Sequence, residues 1–235
     1  MRRSSAAAWL AAVLALSACA PPAPPSLPPP PGPQAGPGAG WVMPAASAQW
    51  YRRHAAAGGA VLRIDPAASL IVATVRRGGP LARLGHDHVV ASHQVSGLIA
   101  PQAGRADFGF RLDQLVVDEA PLREQARLDT QPSADAIAGT RTNMLTRVLE
   151  AGRYPEVALV VDSAAAPARL SVTLHGVTRS VPAQVTVTPT EQGLVASGAL
   201  TLRQSDFGIT PMSIMNGAMT VQDIMELRYR IVATR

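Results

Sequence analysis

The sequence predicts a mainly β fold, roughly eight antiparallel strands in a barrel or a sandwich, with one main α-helix at about residues 133–150. Three observations carry that prediction. Near the C-terminus Met225, Leu227, Tyr229 and Ile231 fall on one face, with Glu226, Arg228 and Arg230 on the other. This period of two belongs to a strand with one face buried and one wet. Short runs of the same kind, punctuated by Pro and Gly, recur from Ala60 to Arg235. Only between Pro132 and Gly152 does the apolar period lengthen to that of a helix.

The first fifty residues have another character. Met1-Arg-Arg3 leads into an apolar run from Ala6 to Leu16, a charged n-region and an h-region too short to span a bilayer. The run ends in Leu16-Ser-Ala-Cys19, which resembles the lipobox of bacterial lipoproteins. That resemblance implies cleavage after residue 18 and lipidation at Cys19, the only cysteine, so no disulfide forms within the mature chain. Ala20 carries no retention signal of the Asp type, which points to a lipid anchor on the periplasmic face of the outer membrane in the bacterial envelope. Residues 19–59 read as the lipidated cysteine and a disordered Pro/Ala/Gly-rich linker, poor in charge and with little to bury. Trp50 to His54 has no assigned place in it. The folded domain is expected over residues 60–235. The chain has 21 basic residues, all Arg, and the formal charge of +5 drops to +3 once Arg2 and Arg3 leave with the signal. The remaining charges form no basic run, so no nucleic-acid partner is indicated.

Within the domain, Ala60–Asp65 and Ser69–Arg76 read as strands separated by Asp65-Pro66. Gly78-Gly-Pro80 breaks the pattern, Leu81 to Leu84 suits one helical turn, and Gly85-His-Asp-His88 runs into a strand toward Gly97. Arg105 to Leu112 alternates with Phe108, Phe110 and Leu112 on one face, and Leu115 to Val117 extends it. In the helix, Ile137, Met144, Leu145, Val148 and Leu149 make one apolar stripe. Ser133 is the expected N-cap, Asp135 suits the first turn, and Gly152 with Pro155 stops the helix. Strands return at Glu156–Val161, Leu170–Leu174, Val181–Val187, Gly193–Arg203 and Met219–Val232. The loop before the last strand carries apolar Met212, Ile214 and Met215, so it either folds over a core or lines the mouth of something.

Five stretches in this order resemble the YceI-like family: Ile64-Asp-Pro66 with Ser69, Gly85-His-Asp-His88, Tyr154-Pro-Glu156, Leu174-His-Gly-Val-Thr-Arg179, and Arg203 to Pro211 followed by a Gly-containing turn and Val221-Gln-Asp223. The resemblance covers about Ala60 to Arg235 and implies an eight-stranded antiparallel lipocalin-like barrel, closed on itself, in the bacterial envelope, that holds a polyisoprenoid or other alkyl chain. Periodicity alone leaves a packed core and a hollow barrel equally open. Candidate lining residues are Phe108, Phe110, Leu145, Val148, Leu149, Met212, Ile214 and Met215. Four of the seven Met fall between Met212 and Met225, and unbranched Met suits a surface that accepts a flexible chain.

Two other chemistries compete. His86 and His88 share one face of a strand, and paired imidazoles can bind Zn or Cu when a third ligand joins them. His93 has the wrong parity and His175 lies in a distant turn, so backbone hydrogen bonding at a strand entrance is the preferred reading of the pair. Hydrolase patterns such as G-x-S-x-G and H-E-x-x-H are absent, as is a phosphate-cradling Gly loop. The chain is therefore predicted to be no enzyme and to take no cofactor beyond a bound isoprenoid or fatty lipid. A periplasmic metal-binding protein, or a packed barrel acting as an interaction module, is the alternative. Monomer and homodimer stay open.

Overall fold

The computed structural model describes residues 40–163, 168–183 and 185–235. The predicted signal peptide, Cys19 and the expected linker up to residue 39 lie outside these residues. Among the described residues, thirteen strands form one antiparallel sheet with few helices. The strands are β1 (Leu62–Ile64), β2 (Leu70–Gly78), β3 (His88–Ser92), β4 (Ser96–Ala100), β5 (Arg105–Arg111), β6 (Val116–Val117) and β7 (Glu156–Asp162). Then follow β8 (Arg169–Leu174), β9 (Val177–Pro182), β10 (Thr186–Pro189), β11 (Gly193–Arg203), β12 (Ser213–Ile214) and β13 (Met219–Thr234).

The predicted closed ring of eight strands is not what the ladders form. The hydrogen-bonded path β6-β3-β2-β13-β1-β4-β5-β7-β8-β9 stops at β9, while β11 joins through β13 and carries β10. No ladder among the described residues joins β9 to β11. Pro182 at the end of β9 has no N–H to give, which fits an edge and not a ladder. The chain itself crosses the gap, because β9 pairs with β8 and β10 pairs with β11.

Turn motifs also divide the long strands. β1 and β2 both pair with β13, and residues 65–69 form the break between them. There the Asp65 carboxylate accepts the Ala67 amide at 2.9 Å, and the Val232 amide donates to the buried Ser69 hydroxyl at 3.0 Å. The side chains replace ladder bonds that the interruption removes. At the far end, the Ser205 amide and hydroxyl donate to the Asp223 carboxylate at 2.7 and 2.6 Å, pinning the loop whose Phe207 and Ile209 enter the core. His175 and Gly176, both at positive φ, make the two-residue turn between β8 and β9. A Cβ on Gly176 would sit 2.7 Å from the Tyr154 ring, so that position needs glycine for space as well as for φ.

Residues 40–59, expected in the linker, are folded here. Helix α1 (Ala45–Ala56) buries Tyr51 and packs on the outer face of the sheet at β4 and β5. Preceding it, Trp41 lies against Gly109 so closely that a Cβ there would meet the indole at 2.6 Å. Arg105 and Asp107 pair beneath the helix, and Asp107 accepts the Ser47 hydroxyl at 2.7 Å and the Tyr51 hydroxyl at 3.0 Å. Burial would raise Asp107, but its bonds from Arg105, Ser47 and Tyr51 outweigh that and hold the carboxyl below its usual range. Burial likewise pushes the Tyr51 phenol up, with the Asp107 charge adding to it.

A short helix, α2 (Ala120–Gln125), covers the outer face of β2 and β3, where Leu70, Val72, Val89, Ala91 and Leu122 form a second small core. The predicted helix is present as α3 (Ala134–Asn143), with Ser133 accepting the Ala136 amide at 3.2 Å, but it continues as a π-helical turn over Met144–Val148. The main core lies on the inner face, built from the alternate residues of the strands.

Candidate functional site

The inner face does not fill completely. A cavity of about 400 Å³ occupies one end of it, within the range typical of ligand pockets. Its walls follow from strand parity. Ile71, Ala73 and Val75 of β2 border it, as do Val90 of β3, Phe110 of β5, and Val157 and Leu159 of β7. From β8 come Leu170, Val172 and Leu174, and from β11 Leu200 and Leu202. The long last strand, β13, adds Met219, Val221, Met225 and Leu227.

The helical segment closes one side. In a π turn the bond runs from residue i+5 to residue i, and here the Leu149 amide donates to the Met144 carbonyl at 2.8 Å. Met144, Val148 and Leu149 all line the cavity. The opening lies where the loop at 79–87 meets the loop before β13, since Leu84 and Ile214 line the cavity and are also exposed.

Of the residues expected to line a ligand site, Phe110, Val148, Leu149, Met212 and Ile214 border the cavity. Phe108, Leu145 and Met215 do not. Phe108 has the right parity but sits further along β5, inside the packed core. Leu145 lies half-buried against that core, and Met215 is 63 % exposed at a turn where its φ is +53°.

One wall is polar. His86, His88 and Ser92 border the cavity along the approach to β3 and the strand itself. His88 Nδ1 lies 2.6 Å from an Asp118 carboxylate oxygen, so it contacts a side chain and not the backbone expected at a strand entrance. The other Asp118 oxygen accepts the Val89 amide at 3.1 Å and the Arg123 guanidinium at 2.5 Å. Arg123 is almost wholly buried, and it also donates to the Asp87 carbonyl at 2.8 Å and to the Thr130 carbonyl. Burial would raise Asp118, but the bonds from His88, Val89 and Arg123 outweigh it and hold the carboxyl below its usual range. Sequence reasoning missed Asp118 and Arg123. Both are ordinary surface types in a sequence, and only their convergence beneath β3 gives them a role.

The His86 and His88 rings are 6.2 Å apart, but no group of three His, Cys, Asp or Glu among the described residues could hold a metal ion. The third ligand that the metal alternative requires is not found there. Ser92 Oγ and His86 Nδ1 are buried without a hydrogen-bond partner, so the polar wall keeps unused capacity beside an apolar space.

The model of the family described as YceI-like domain matches residues 62–233, well over half of the chain. No curated protein matches the sequence. Among solved structures, the chain is similar to a polyisoprenoid binding domain from Saccharophagus degradans implicated in plant cell wall breakdown, with TM-score 0.52 and 13% identity over 75% of this chain and 98% of that one. It is similar also to BcnA from Burkholderia cenocepacia, with TM-score 0.51 and 14% identity over 73% of this chain and 99% of that one. At such identities these likenesses concern the fold.

Proposed function

The chain belongs to the YceI-like family, and from that premise we propose that it is a non-catalytic binding protein for a long apolar ligand, a polyisoprenoid, an isoprenoid quinone or a fatty amphiphile. The observation that carries this reading is the apolar cavity of about 400 Å³, bordered by strands, a π turn and an apolar loop. Such a ligand is held by burial, at about 25 cal/mol per Å² of apolar surface removed from water. The polyisoprenoid-binding neighbour supports the ligand class. We read the sheet as a barrel of eight long strands, four of them interrupted. The pairings support this, since β1 and β2 both pair with β13, β3 and β4 pair with β2 and β1 in turn, β5 and β6 pair with β4 and β3 in turn, and β9 is followed in the chain by β10. We read Cys19 as the lipid anchor that holds the domain in the envelope, on the periplasmic face of the outer membrane.

Native mass spectrometry of the chain from Gly40 to Arg235, purified from bacteria, tests the binding reading. The expected result is a bound mass of several hundred daltons that is extractable into organic solvent. Val148→Trp, which puts an indole into the cavity, is expected to lose that mass while keeping its circular dichroism. A folded Val148→Trp protein with unchanged lipid content would sink the assignment of the cavity.

A further inference from the structure

Two loops at the cavity mouth expose large apolar side chains. Leu84 is 58 % exposed, Ile214 42 % and Met215 63 %. The loops are joined, because the Leu81 amide donates to the Ala218 carbonyl at 2.8 Å. Leu84 and Ile214 also border the cavity, so the exposed apolar surface runs without a break into the apolar interior. Next to Leu84 in the chain, Arg83 is exposed on the first loop, and Arg147 is exposed on the π turn whose Met144 and Val148 line the cavity. Neither makes an ion pair with a described residue. The nearby carboxylates Asp87 and Asp129 are already held by Arg76 and Arg77.

We propose that this mouth docks on the surface of a bilayer containing anionic lipid, and that the ligand passes between membrane and cavity there. The inference rests on the lipid-binding reading given above. An apolar lip flanked by free arginines is the composition of a membrane-interface contact: aliphatic groups enter the acyl boundary while guanidinium groups meet phosphates. A ligand crossing at such a contact keeps its chain out of water throughout. Reach permits it. Twenty residues separate Cys19 from Gly40, at most about 70 Å of chain.

The test uses residues 20–235, which retain every described residue and lack the cysteine, so no acyl anchor contributes. Co-sedimentation is measured with vesicles of phosphatidylcholine containing about one third phosphatidylglycerol, and with phosphatidylcholine alone. Retention of radiolabelled hexadecanol is measured separately in vesicle-free buffer. The parent is expected to bind the anionic vesicles more tightly, and less so as salt rises. Met215→Ser is expected to weaken binding about tenfold. Arg83→Gln and Arg147→Gln are each expected to weaken it about fivefold and to reduce its salt dependence. Hexadecanol retention is expected to be unchanged in all three. A parent that ignores vesicles, or variants that sediment like the parent, would overturn the proposal while retained hexadecanol leaves the cavity reading standing. Vesicle binding without hexadecanol retention would support the docking surface and sink the cavity reading instead.

Discussion

His88 keeps its place on the cavity wall because its other side is held: Nδ1 meets the buried Asp118, which is itself fixed by Arg123 and the Val89 amide. The carboxyl is depressed in the folded protein, so it contributes stability above its ordinary value of 3.8, and that stability is lost as pH falls through the lower folded value. Asp107 behaves in the same sense on the outer face. Asp118→Asn leaves Arg123 buried without its counter-charge, which is expected to cost about 3–5 kcal/mol at neutral pH. Urea unfolding followed from pH 7 down to about pH 2 checks this. The variant is expected to lose stability less steeply than the parent on the acid side. Parallel curves would remove Asp118 from the account.

Helix α1 shows how an element can escape a reading of its sequence. Its residues include one buried side chain, Tyr51, and no side chain caps its start, so neither a stripe nor a cap announces it. It is fixed by what lies beneath: the Arg105–Asp107 pair, the Leu98 carbonyl that accepts the Tyr51 hydroxyl, and a guanidinium 4.6 Å from the Trp50 ring. Tyr51→Ala is expected to destabilise the protein by about 3–5 kcal/mol, as aromatic truncations in cores do. Urea unfolding measures it, and a loss below about 1 kcal/mol would mean that the helix rests loosely on the sheet. The strands were legible because alternation is a local property. The cavity's boundary was not, since Phe108 and Phe110 have the same parity and only their depth along β5 separates packed core from open space. The helical stripe likewise offered Leu145, Val148 and Leu149, of which Val148 and Leu149 border the cavity, but it could not reveal the π turn that presents them together with Met144.

For the whole molecule, the proposed anchoring and the proposed binding use separate parts of the chain. The cavity is bordered by residues from Ile71 to Leu227, whereas the proposed anchor is at Cys19, ahead of a helix docked on the outer wall. Each buried CH₂ of an acyl chain contributes about 0.8 kcal/mol, so two or three chains hold a protein where one does not. Among the described residues no helix is long and apolar enough to cross a membrane. The lip at the mouth would then add a weaker, salt-sensitive contact. Cys19→Ala is accordingly expected to move the protein into the soluble fraction at moderate salt without removing the mass bound in its cavity. Fractionation followed by native mass spectrometry checks both halves. A variant that stays with the membrane at high salt would sink the anchor, and one released without its ligand would show that cavity loading depends on attachment.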